Sequence, residues 1–112
     1  MLRLRLEGRE MNEYDRWLMD KPSIETRICA ICGMRQSSNR HHVVPKSRGG
    51  ADGPTITVCG MGNCNGCHGL LHAHKAHLRY DCGWEVLVTD EPMKYDKALE
   101  TEGWRPIYEQ GI

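Results

Sequence analysis

"HHVVPKSRGGADGPTITVCGMGNCNGCHGLLHAHK", residues 41–75, carries five of the chain's six histidines and three of its six cysteines in about a third of its length. Two more cysteines, Cys29 and Cys32, stand just upstream. Imidazole and thiolate are good ligands for zinc and its neighbours among the transition metals. The stretch therefore reads as a segment folded around metal.

The rest of the composition agrees. A chain of 112 residues is one domain in length, and a domain this small buries too little apolar surface to be comfortably stable on packing alone. There is no Phe, with only three Trp and four Tyr, so the aromatic rings that usually fill a small core are scarce. Bound metal can take their place. The start, "MLRLRLEGRE", is charged throughout and no run of 18 apolar residues occurs, so neither a secretory leader nor a membrane span is expected. We expect a cytoplasmic protein, in which thiols stay reduced and cysteines at metal-ligand spacing bind an ion instead of forming disulfides.

The formal net charge is zero, but the charges are segregated. Residues 27–79 hold seven basic side chains against one acidic one, Asp52, while eight basic and fourteen acidic residues lie in the flanks. A basic centre within acidic flanks points to a local contact with a polyanion. Arg40, Lys46 and Arg48 flank the histidine doublet and are the candidates for phosphate contacts.

Local patterns predict short elements of both kinds, an α+β chain. "NEYDRWLMD" (12–20) predicts a helix that Pro22 stops. Turn signals at "RGG" and "DGP" precede "TITV" (55–58), a predicted strand. From Gly66, "GCHGLLHAHKAHLRY" (66–80) lacks Pro and predicts a helix weakened by Gly69. "WEVLVT" (84–89) predicts a strand, and "YDKALETEGWRP" (95–106) a short helix closed by Gly103. We divide the chain into a core at about 28–80, flanked by 1–27 and 81–112, in one domain.

Cys29 and Cys32 form C-x-x-C, a spacing at which one tight turn aims two thiolates at one ion. Cys59, Cys64 and Cys67 offer the second pair in more than one way, because 64–67 is also C-x-x-C. A redox pair at 29 and 32 would need a strand-to-helix context that "TRICAICGMRQSS" lacks. Cys82 reads as a small apolar side chain outside either pattern. The histidines make a second set. His68 and His72 are four apart on the predicted helix, hence on one face. In an extended strand His41 and His42 point to opposite sides, so one can join that pair on a metal while the other stands apart as a base.

The order C-x-x-C, "HHVVPKSRGG", then "VC" and "CHGLLH" resembles the HNH endonucleases (His-Me finger or ββα-metal nucleases), in particular the compact phage and prophage branch with a cysteine zinc site. The resemblance covers residues 28–73, about 40% of the chain. It implies a small ββα-metal core braced by a four-cysteine zinc site, with short flanking helices and strands. It implies His42 as general base and His41 in place of the metal-binding Asp or His before it. It implies His68 as the last metal-binding His and His72 as the extra helix ligand of colicin-type nucleases. Cys59 and Cys67 are then the thiolates that join Cys29 and Cys32, and Cys64 has no counterpart. The family's middle Asn falls at Pro54, which has no side-chain amide, leaving Thr55, Asp52 or Asn63 to substitute.

The chemistry fits the residues. Phosphodiester hydrolysis needs an activated water, a cation for the charge that grows on the phosphoryl and leaving oxygens, and in-line placement. The expectation is a DNA endonuclease, largely indifferent to base sequence, with structural Zn²⁺ and a catalytic divalent cation (Mg²⁺, Mn²⁺, Ni²⁺ or Zn²⁺); three imidazoles suit a transition metal better than Mg²⁺. The alternative is a non-catalytic zinc-binding module that contacts nucleic acid or protein and needs only the cysteines. A redox or metal-buffer protein is a third possibility.

Overall fold

The β-branched run organises the first half of the chain. A computed structural model describes residues 12–62 and 65–109; the charged start at 1–10, Asn63 and Cys64 lie outside the described residues. Thr55–Val58 (β2) is a strand buried at all four positions, as Thr, Ile and Val favour on a covered pleated surface. It pairs antiparallel with Asn39–His42 (β1), in the register Asn39↔Val58, Arg40↔Thr57, His41↔Ile56 and His42↔Thr55. On its other side Ile24 forms a parallel bridge to Ile56. Thr26 bonds the Thr57 hydroxyl, and the Ala30 N–H donates to the Thr57 carbonyl at 3.1 Å. The first cysteine turn therefore hangs from β2.

The loop from β1 to β2 is tied by its own backbone. A 3₁₀ turn, Lys46–Arg48, ends at Gly49, whose φ of 92° is the left-handed region that favours glycine. Gly50 is required by contact, since a Cβ there would lie 1.9 Å from the Val44 carbonyl oxygen. The Gly50 N–H donates to Pro45 at 3.0 Å and the Val43 N–H to Pro54 at 3.1 Å. Both bonds fix where the doublet leaves β1.

The helix expected over 66–80 is half that length. Gly66–His72 (α2) stops at Ala73, and His74 takes a left-handed φ of 63°. The His74 N–H then donates to Leu71 at 3.3 Å and the Lys75 N–H to Leu70 at 2.9 Å, the paired bonds of a Schellman ending with His where Gly is usual. The chain reverses into Ala76–Tyr80 (β3), which pairs antiparallel with Trp84–Val88 (β4). Cross-strand hydrogen bonding and burial of Ala76 and Leu78 outweigh the local helical preference. Arg105–Pro106 (β5) adds to β4, completing a second antiparallel sheet in the order β3-β4-β5.

Two short helices close the structure. Glu13–Leu18 (α1) is capped by Asn12, whose side chain accepts from the Asp15 N–H. Tyr95–Leu99 (α3) ends before the expected Gly103, because the chain turns out to reach β5. The Tyr14 and Tyr95 hydroxyls meet at 2.9 Å, joining the two helices. Ile56, Val58, Val86, Val44 and Trp84 form the apolar core with the cysteines, and Trp84 Nε1 donates to the Pro22 carbonyl at 2.8 Å. Cys82 is not packed: it is exposed in the β3–β4 turn with φ 65°. The fold is a small mixed α/β domain with two antiparallel sheets and a tight cluster of four cysteines. Among the described residues no helix is long and apolar enough to cross a membrane.

Candidate metal centres

The first centre lies behind β2. Cys29 and Cys32 come from the turn hung on Thr57, Cys59 directly follows β2, and Cys67 lies in the first turn of α2. One ligand atom from each lies within 4.8 Å of all the others. Four thiolates about 2.3 Å from a tetrahedral zinc stand about 3.8 Å apart, so the spread suits one ion. Backbone N–H groups already point at the sulfurs: Ile31 and Cys32 donate to Cys29 Sγ at 3.4 and 3.5 Å, and Cys67 donates to Cys59 Sγ at 3.4 Å. Such donors favour thiolate over thiol. The hydrogen bond from the Cys67 thiol, against burial and aided by backbone N–H groups, lowers the Cys29 pKa to about 4, while the same bond and burial push Cys67 up. Burial also raises Cys59. A cation would remove the need for the thiols to hold protons. This cluster can hold a structural metal such as zinc.

The second centre lies between β1 and α2. His41, His68 and His72 each offer a ring nitrogen, all within 4.8 Å of one another. His41 meets His68 and His72 edge-on, at ring-centroid distances of 5.4 and 5.5 Å. Burial first, then the neighbouring imidazoles of His68, His72 and His42, lower the His41 pKa to about 3. Burial and His72 lower that of His68. Imidazoles held neutral keep a lone pair for a metal. His68 Nδ1 is buried without a hydrogen-bond partner among the described residues, and His72 is exposed. His68 thus sits at the inner end of the group and His72 at the mouth.

Strand alternation separates the doublet. His41 faces α2, while His42, opposite Thr55, stays outside the three-imidazole group. Both line a cleft of about 770 Å³ whose lining also includes Lys46, Arg48, Tyr14, Asp15 and Tyr95. Arg40 does not line this cleft. Its guanidinium is held by Glu25 at 2.8 Å and by the Thr55 hydroxyl at 2.9 Å, on the opposite face from His41. With Thr55 engaged there and Asp52 exposed, neither is seen to supply the side chain that the resemblance would place at Pro54. The loop ties described above come from main chain instead.

Three features of the cleft escaped the sequence reading. Asp15 and Tyr14 come from α1, a segment without any chemical signature. His77, on β3, is buried with Nε2 3.0 Å from the His74 carbonyl oxygen. Tyr95, from α3, donates to the Leu78 carbonyl at 2.7 Å. Only Asp15 left a sequence trace: three residues before Leu18, it shares that residue's inward face.

No protein-family model, curated protein or solved structure matches the chain.

Proposed function

We propose that the protein is a metal-dependent endonuclease that hydrolyses DNA phosphodiester bonds, with β1, β2 and α2 as its ββα-metal core and Cys29, Cys32, Cys59 and Cys67 as a structural zinc site. The observation that carries this reading is the separation of adjacent histidines: His41 joins His68 and His72, while His42 stands alone in the same cleft. A base beside a cation site, but outside it, is what the reaction requires. The resemblance to HNH endonucleases supports the same assignment.

His41, His68 and His72 would hold the catalytic cation, which when bound supplies positive charge to a phosphoryl oxygen and the leaving 3′ oxygen. His42 takes a proton from the attacking water, a task for which imidazole is suited at neutral pH. The β1–β2 pairing and the Val43–Pro54 bond hold His42 in place. Lys46 and Arg48 contact the flanking phosphates. Arg40, expected to share that work, reaches a phosphate only by leaving Glu25. With so few backbone contacts, binding is weak, salt-sensitive and largely independent of base sequence. Reduced thiols at zinc-ligand spacing fit a cytoplasmic setting.

Plasmid cleavage by the purified protein across Mg²⁺, Mn²⁺, Ni²⁺ and Zn²⁺, with His42→Ala alongside, tests the reading. Nicked or linear product from the wild type and its loss in His42→Ala are expected. No cleavage with any of the four cations, or full activity in His42→Ala, overturns it. A non-catalytic zinc module would have no use for three clustered imidazoles, so stoichiometric binding of a second metal through them favours the enzyme.

A further inference from the structure

Asp15 is the most deeply buried carboxylate among the described residues, with its side chain 8% exposed, and it lines the same cleft as His41, His42, His68 and His72. Its Oδ2 is buried without a hydrogen bond. Burying a carboxylate is costly unless a cation or donor compensates it. The cation it has is Arg48, whose Nε lies 3.5 Å from Oδ2. Arg48 closes the 3₁₀ turn after Pro45 and is about half exposed. A pair this long and lopsided, one partner buried and the other at the cleft edge, adds little to stability by itself. It does set the guanidinium's Nε edge beside the carboxylate.

We propose that Asp15 is a positioning residue that acts through Arg48, holding the guanidinium by its Nε side so that the two Nη groups are presented to a phosphate of the bound strand. Arginine suits this because its planar fork can meet a carboxylate along one edge and a phosphate along another, which a lysine ammonium cannot do with fixed geometry. Asp15 thereby couples α1, outside the metal-binding segment, to the substrate. The inference rests on the endonuclease reading, because it needs a phosphodiester in the cleft.

The two explanations of an acid in this position predict opposite signs. If Asp15 only adds negative charge beside a polyanion, Asp15→Asn tightens DNA binding. If it positions Arg48, the same change weakens binding although it removes a repulsive charge. The test measures binding of a labelled DNA duplex to the full-length zinc-loaded protein without added divalent cation, over a salt series. Variants are Asp15→Asn, Arg48→Gln, the double variant and Arg48→Lys. We expect Asp15→Asn to weaken binding roughly three- to tenfold, and Arg48→Gln to cost little more once Asp15 is Asn, since residues in direct contact do not add. Arg48→Lys keeps the charge and leaves buried Asp15 unchanged, so it serves even where Asp15→Asn fails to fold. It should bind nearly as weakly as Arg48→Gln. Unchanged or tighter binding by Asp15→Asn, additive losses, or full binding by Arg48→Lys overturns the positioning role and leaves the endonuclease reading standing. Failure of the wild-type protein both to bind and to cleave DNA overturns both.

Discussion

His72 Nε2 lies 3.1 Å from His68 Nε2, one turn apart on α2. Two nitrogens ligating one zinc at 2.0–2.1 Å stand about 3.3 Å apart in a tetrahedron, so the two rings are already arranged to share an ion. His41 completes the set from β1. Purified protein should therefore bind a divalent transition metal through these imidazoles, in addition to any held by the cysteine cluster. His41→Ala, His68→Ala and His72→Ala should each weaken that binding by more than about tenfold, the cost of losing even an outer-shell partner. Calorimetric titration with Ni²⁺ or Mn²⁺ reads this directly. One metal per chain under saturating conditions would remove the second centre.

Adjacent positions in β1 should fail in different ways. His42→Ala leaves the three-imidazole group untouched, so metal content and DNA binding should stay near wild type. On the endonuclease reading its cleavage rate should nevertheless fall by about 10² to 10⁴, the usual contribution of a general base. His41→Ala should lose metal, and excess metal should restore part of its activity. Added metal should not rescue His42→Ala, because a cation does not accept a proton. Equal metal loss in the two variants would show that the roles of His41 and His42 are wrongly assigned.

The sequence disclosed residues whose chemistry is written in their spacing, and hid those placed by tertiary structure. Cys29 and Cys32, or His68 and His72, meet because of local geometry that any turn or helix imposes. The "TITV" strand was legible for the same reason, from β-branched side chains. The end of α2 was not, because "AHLRY" carries no breaker and becomes a strand only through pairing with β4. Asp15 gave still less: the role proposed for it depends on Arg48, 33 residues away and joined to it only by the fold. The engagement of Arg40 by Glu25 was equally invisible, which is why a basic residue beside the doublet looked free.

The cysteine cluster should decide whether the chain folds. A structural zinc contributes roughly 10 kcal/mol or more of apparent binding free energy, comparable with the whole stability of about 5 to 15 kcal/mol of a typical domain. Cys29, Cys59 and Cys67 are buried in the apolar core, so losing the ion also leaves poorly partnered thiols there. Single Cys→Ser changes at Cys29, Cys32, Cys59 or Cys67 should give insoluble or unfolded protein, read by circular dichroism and zinc content. Cys82→Ser, at an exposed turn, should change the melting temperature little. A harmless Cys59→Ser beside a severe Cys64→Ser would show that Cys64 is the ligand.

Acid should destabilise the histidine side of the fold before it protonates the buried rings. Burial and its imidazole neighbours hold His41 at about 3 in the folded chain, from an ordinary 6.5, and His68 and His77 are lowered too, chiefly by burial. At His41 the unfolded chain therefore takes up a proton below about pH 6.5 that the folded chain refuses until much lower pH. For His41 the stability is full above that value and falls as pH drops towards 3, by up to about 1.4 kcal/mol per pH unit; His68 and His77 act in the same direction. The melting temperature should fall between pH 7.5 and 5.5, and recover when the pH is raised. His41→Asn, which cannot bind the extra proton in either state, should show a shallower fall over the same interval. A fall of equal steepness in the two proteins would mean that His41 takes up its proton in the folded chain without cost, and that the three rings are less closely confined than their distances indicate.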